Sequence, residues 1–240
     1  MDYSFVKSFD TITDQVVKLL FDNSIGVVII NNAKKEDINQ FGNIVPQDIF
    51  YGLSEIPIGT LDKTKQHVYS TTEMLWHSDG SYSKDVHPIV GLFCISASEG
   101  SSPTYFCDMQ SAYSNANLSL KNRTEGVLCQ HSVTKYFNQR EYPHKFKDKR
   151  HERLQRIKGK AIHNLVCEDN YGKYFFYNEG YTETEFEDEL KSVCYQNKNI
   201  YKHVWNPNQL IVYNNYKVTH KRDDTPDYVD RRHLRFAIRK

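Results

Sequence analysis

From residue 89 onward the chain is cut into short runs rich in β-branched and aromatic residues, each closed by polar or glycine-containing segments. They read IVGLFCIS (89–96), PTYFCDM (103–109), GVLCQHSVTKYF (126–137), AIHNLVCED (161–169), KYFFYN (173–178), QLIVYNN (209–215) and RRHLRFAIR (231–239). Apolar runs of this length, bounded by turn residues, pair as strands. Many of them in succession predict an antiparallel sandwich or barrel, a mostly β fold with flanking helices. The helices are expected first at TDQVVKLLFDN (13–23), where Val16, Val17, Leu19 and Leu20 make an apolar stripe, and again at KKEDINQFGN (34–43). IGVVII (25–30) lies between them as a strand, and ETEFEDELKSVCYQN (183–197) reads as a helical insert. No repeat, low-complexity tract or linker divides the sequence, so one domain over residues 1–240 is expected.

Composition limits the partners. Hydrophobic residues make up 39% and aromatics 13%, enough for a folded core. Lysines and arginines number 31 against 30 acids, a net charge of +1, which leaves no global footprint for nucleic acid or an anionic membrane. The start, MDYSFVKSFD, has no basic and then apolar leader pattern, and no apolar run approaches the length of a membrane span, so a cytoplasmic protein is expected. Cys94, Cys107, Cys129, Cys167 and Cys194 form no C-x-x-C pair and read as reduced thiols with no zinc-binding or disulfide role.

Against this background EMLWHSDGSY (73–82) stands out, because it sets His77 and Asp79 two apart at what reads as the end of a strand. In extended chain, residues i and i+2 face the same way, so both side chains can reach one ion. An H-x-D pair is common by chance and means little alone. QLIVYNNYKVTHKRDD adds His220 just after an apolar strand, and two histidines with one carboxylate make the facial set that holds non-heme Fe(II) with coordination positions left open.

With these residues in view, the sequence resembles the Fe(II)/2-oxoglutarate-dependent dioxygenases of the taurine dioxygenase (TauD/TfdA-like) family. LWHSDGSY is similar to the family's first ligand block, EGSSPTYFCDMQSAY (99–113) to its threonine-bearing strand, and WNPNQLIVYNNYKVTHKRDDTPDYVDRRHLRF to its distal histidine and arginine block. The resemblance implies a double-stranded β-helix, a jelly-roll barrel with the metal in its mouth. It implies that His77, Asp79 and His220 hold Fe(II), and that the cosubstrates are 2-oxoglutarate and O2. Arg231, eleven residues beyond His220, falls where the family grips the far carboxylate of 2-oxoglutarate, and Thr104 where it places a hydroxyl donor to the same molecule. The doublet Arg231-Arg232 leaves a one-residue ambiguity, and strand alternation favours Arg231. Arg235, four residues on, shares the face of Arg231 and is expected to hold an acid group of the substrate. Glu73, four residues before His77, would welcome an ammonium group beside it or else face solvent.

The implied reaction couples oxidative decarboxylation of 2-oxoglutarate to hydroxylation, or related C–H oxidation, of a small carboxylate-bearing molecule, with an amino acid or close derivative as the leading candidate. Sulfonates and carrier-bound acyl groups are the alternatives within the same chemistry. A non-enzymatic jelly-roll binding module or a zinc hydrolase would have no use for Arg231 alongside the three ligands. The basic stretch 135–160 reads either as a solvated loop or as a lid that steers an anionic substrate or an acidic carrier protein, and a homo-oligomer is also compatible with the sequence.

Overall fold

A computed structural model of the chain describes residues 3–21, 25–38, 50–58, 73–133, 135, 159–225, 229 and 231–238. Its elements, in order, are β1 (Val6–Phe9), α1 (Asp14–Phe21), β2 (Val27–Ile30), β3 (Phe50–Ile58), β4 (Met74–His77), β5 (Ile89–Ala97), β6 (Thr104–Asp108), α2 (Met109–Asn115) and α3 (Leu118–Thr124). There follow β7 (Leu128–Ser132), β8 (Lys160–Asn164), β9 (Val166–Asp169), β10 (Gly172–Phe175), β11 (Thr182–Glu183), α4 (Glu187–Cys194), β12 (Ile200–His203), β13 (Leu210–Asn214), β14 (Val218–Arg222) and β15 (Arg231–Ile238).

Two sheets carry the architecture: one of six strands in the order β1-β2-β13-β5-β15-β3, and one of four in the order β12-β6-β14-β4. Apart from the parallel β1–β2 pair, every pairing in them is antiparallel. Strands β2 and β13 alternate between two buried faces, which is why β2 is apolar throughout and β13 up to its last residue, Asn214. Val28, Ile30, Leu210, Val212, Leu234, Phe236 and Ile238 meet Val16 and Leu20 of α1 on the outside. Val27, Ile29, Val90, Ile211, Tyr213 and Ala237 point inward, where they join Phe106 and Val218 of the facing sheet. Gly91 is required under this packing, since a Cβ there would lie 2.1 Å from the Phe236 ring. The outer face of the four-stranded sheet is covered by a second apolar cluster that includes Trp76, Cys107, Met109, Ala112, Leu120 and Leu190. The jelly-roll expectation is therefore met as a sandwich with helices on its outer faces.

The strand expectations fall on β2, β5 to β10, β13 and β15, with 161–169 divided into β8 and β9 around Leu165. The far end of 126–137, the second half of the helix expected at 34–43 and nearly all of the basic stretch 135–160 lie outside the described residues. Helices α2 and α3 are additions to the sequence reading. Asp108 starts α2 by accepting from the backbone N–H groups of Gln110 and Ser111, and Asn117 starts α3 by accepting from Leu120. Among the described residues no helix is long and apolar enough to cross a membrane.

Candidate active site

His77 is the last residue of β4, and His220 lies inside β14, directly opposite it in the antiparallel register. The expectation that His220 follows a strand is thus corrected: Asn214 to Lys217 turn the chain back, and the histidine belongs to the next strand. Facing register brings the two rings to 4.1 Å between centroids. The Nδ1–H of His77 donates to the Leu75 carbonyl at 2.7 Å, which fixes the tautomer and leaves Nε2 with its lone pair free toward the interior.

Asp79 lies beyond β4, in a turn, so strand alternation is not what aims it. Asn215, fully buried in the β13–β14 turn, accepts from the Asp79 N–H and donates to the Asp79 carbonyl, both at 2.9 Å, and also donates to the His87 carbonyl at 2.8 Å. This side chain pairs with the Asp79 backbone as a strand would, and it sets one carboxylate oxygen, Oδ1, 3.6 Å from His77 Nε2. Among the described residues, one group of candidate metal ligands results: atoms of His77, Asp79 and His220 within 4.8 Å of one another.

The electrostatics suit a cation. Burial alone would raise the Asp79 pKa, but Arg235, with His77 and His220, holds it well below the usual carboxylate range. Burial and the neighbouring His77 push His220 down to about 3, so its ring is neutral and able to ligate at any working pH. Among the described residues that ring has little else to do: Nδ1 is buried without a hydrogen-bond partner, and Nε2 meets the Tyr213 hydroxyl at 3.4 Å. A neutral buried imidazole in that state, beside a second imidazole and an ionised carboxylate, is the donor set that Fe(II) takes, and these residues fit the metal the resemblance implied.

β15 presents polar side chains to the interior from the other sheet. Arg231, His233 and Arg235 occupy its inward positions, while Leu234 and Phe236 pack on the α1 side. Arg231 is 3% exposed, donates from Nη1 to the carbonyl and hydroxyl of Ser102 at 2.8 and 3.1 Å, and from Nη2 to Thr104 Oγ1 at 2.8 Å. Trp205 Nε1 donates to the same Thr104 oxygen at 2.8 Å, and the Arg231 guanidinium lies over the Trp205 ring. Thr104 therefore accepts twice, which leaves its own proton to donate elsewhere. Among the described residues no carboxylate pairs with Arg231, its Nε finds no acceptor, and burial together with Arg222 presses its pKa down.

Two expectations change. Arg235 does not stand open as a fork for a substrate acid, because Asp79 claims it: Nε and Nη2 both donate to Asp79 Oδ2, at 3.0 and 2.8 Å. A buried guanidinium takes the nearest carboxylate, and the turn after β4 supplies one. Glu73 is exposed ahead of β4, at the end of the strand away from His77, about 13 Å along an extended chain, and is not brought to the site. The sequence reading passed over Ser102, Tyr213 and Asn215. Trp205, 4% exposed, packs in the core and also donates a hydrogen bond to Thr104.

Beside the triad, Tyr181 approaches His77 at 6.2 Å between ring centroids and Tyr82 at 5.5 Å, with Leu75 and Val133 packed beside them. This cluster is apolar and aromatic.

Comparison with known proteins agrees with the architecture. AAD-2, solved in complex with Mn(II) and N-oxalylglycine, superposes with a TM-score of 0.81 at 17% identity, over 100% of this chain and 96% of that one. A taurine dioxygenase from Burkholderia xenovorans gives 0.68 at 12% identity, over 99% and 86% of the respective chains. No curated protein matches the sequence. The family model described as taurine catabolism dioxygenase TauD, TfdA family matches residues 6–237. The chain belongs to that family and is an Fe(II)- and 2-oxoglutarate-dependent oxygenase.

Proposed function

We propose that this oxygenase hydroxylates a small organic acid with an apolar or aromatic body, with His77, Asp79 and His220 holding Fe(II) and with Arg231 and Thr104 holding the far carboxylate of 2-oxoglutarate. The observation that carries the reading is Arg231: a buried guanidinium with no carboxylate on it among the described residues, flanked by the hydroxyls of Ser102 and Thr104. Such a charge is costly unless an anion completes it. Thr104 lies two residues, about 7 Å, along β6 from the Phe106 that faces His220, within reach of a five-carbon diacid held at both ends.

When bound, Fe(II) supplies the activation of O2 coupled to decarboxylation of 2-oxoglutarate. The protein's part is positional. Arg231 binds the far carboxylate bidentately, Thr104 donates its remaining proton to it, and Trp205 keeps both in place. Tyr82, Tyr181, Leu75 and Val133 offer the substrate body an apolar seat beside the triad and exclude water from it. A zwitterionic amino acid loses its support once Glu73 is removed from the pocket. The setting we infer is cytoplasmic, and carrier-linked acids are the alternative form of the same substrate.

Anaerobic addition of Fe(II) and 2-oxoglutarate should raise a weak visible charge-transfer band, absent in His77→Ala. Aryl and alkyl carboxylates, sulfonates, amino acids and carrier-linked acyl groups are then screened for stimulated succinate release. Stimulation by amino acids alone would reject the apolar-acid reading, and absence of the band would reject the assignment of the ligands.

A further inference from the structure

The two oxygens of Asp79 are treated very differently. Oδ2 receives Arg235 Nε at 3.0 Å, Arg235 Nη2 at 2.8 Å and the Tyr213 hydroxyl at 3.3 Å. Oδ1 faces His77 Nε2 at 3.6 Å. The backbone of the same residue is held by Asn215 at both its N–H and its carbonyl. A carboxylate ordinarily rotates and can ligate a metal through one oxygen or both, and a second bound oxygen occupies a further coordination position. Here rotation would break three hydrogen bonds to one atom.

The donors also come from a different part of the fold than the histidines do. His77 and His220 belong to the four-stranded sheet, whereas Tyr213 is on β13 and Arg235 on β15 of the six-stranded sheet. Both are inward-facing, and Tyr213 is fully buried against the Phe106 and His220 rings. One sheet thus contributes the imidazoles, and the other fixes the angle of the carboxylate between them.

We propose that Arg235 and Tyr213 are positioning residues that hold Asp79 as a one-oxygen metal ligand, so that its second oxygen cannot occupy a position needed by 2-oxoglutarate or O2. The inference rests on the triad reading above. It assigns Arg235 to the metal ligand, and it therefore predicts an effect of Arg235 substitution with no substrate present.

The test uses the full-length protein and Co(II) alone, titrated while the visible d–d bands are recorded, since their intensity and energy report coordination number. In Arg235→Gln, Co(II) affinity should fall by about 10- to 100-fold, the range typical for partners that orient a metal ligand, and the bands should change in intensity. Arg235→Lys, which keeps the charge without the fork, should recover part of the affinity but not the wild-type spectrum. Tyr213→Phe removes a single oxygen and should shift both readouts in the same direction by less. Far-UV circular dichroism checks the fold of each variant, and if Arg235→Gln does not fold, Tyr213→Phe decides. Wild-type affinity and spectrum in the folded variants, with binding lost in His77→Ala, would overturn the clamp and leave the triad standing. Wild-type Co(II) binding in His77→Ala, or none in the unmodified protein, would overturn both.

Discussion

Replacing Arg231 by methionine separates its cost to the fold from its value to the ligand, because the two have opposite signs. In the free protein the guanidinium is 3% exposed, makes three hydrogen bonds to Ser102 and Thr104, and has no carboxylate partner among the described residues. Losing three bonds from a charged donor costs about 1.5–3 kcal/mol each, while removing an uncompensated buried charge returns several kcal/mol, so the terms nearly cancel. Methionine fills a similar volume and satisfies no anion. The free variant should melt within a few degrees of the wild type. With 2-oxoglutarate bound, the wild type gains a buried charged pair that the variant cannot form, about 3–5 kcal/mol, or roughly 100- to 4,000-fold in Kd. Thermal melts in Mn(II) under argon, with 2-oxoglutarate varied, read this directly. The wild type should be stabilised as the ligand saturates it, and Arg231→Met should need higher ligand by that factor to show the same shift. Wild-type ligand dependence in Arg231→Met, or an equal loss in Arg232→Met, would refute the reasoning.

Three further outcomes follow from other residues. Asn215→Ala strips partners from the Asp79 N–H, the Asp79 carbonyl and the His87 carbonyl at a fully buried position, which should cost about 1.5–4.5 kcal/mol and lower the melting temperature by about 5–15 °C; an unchanged melt would contradict it. Thr104→Val should raise the apparent KM for 2-oxoglutarate at least about tenfold, through loss of its donated proton and of the acceptor that orients Arg231, and steady-state kinetics with unchanged KM would count against the site. Burial holds His131 at about 3, His203 at about 4 and His233 well below 6.5, so each binds its proton more tightly when the chain unfolds. Stability should therefore be full above pH 6.5 and fall as the pH drops toward 4, by about 1.4 kcal/mol per pH unit for each histidine, and a urea midpoint that stays flat between pH 7 and pH 5 would refute this.

Local pattern determined a good deal of this protein. β-branched runs marked β2, β5 and β13, because a strand buried on both faces is apolar along most of its length. Residue types and their placement pointed to His77, Asp79 and His220, the family resemblance pointed to Thr104 and Arg231, and strand alternation favoured Arg231 over Arg232. What the tertiary structure decided is which distant group each polar side chain meets. An arginine on an inward strand position needs an anion, yet nothing within its own strand says whether that is a substrate or Asp79, which lies 156 residues earlier in the chain. An asparagine in a turn is ordinary, and only the fold sets Asn215 against the backbone of a residue 136 positions away. The same holds for Tyr213, a strand aromatic by pattern whose hydroxyl is placed by the facing sheet. Helices α2 and α3 went unread for a related reason: at seven residues each they are too short to show a period, and their caps and their packing over the four-stranded sheet hold them. Periodicity reports which face of an element is buried, whereas the direction of a hydrogen bond or an ion pair depends on what the rest of the chain brings to that face.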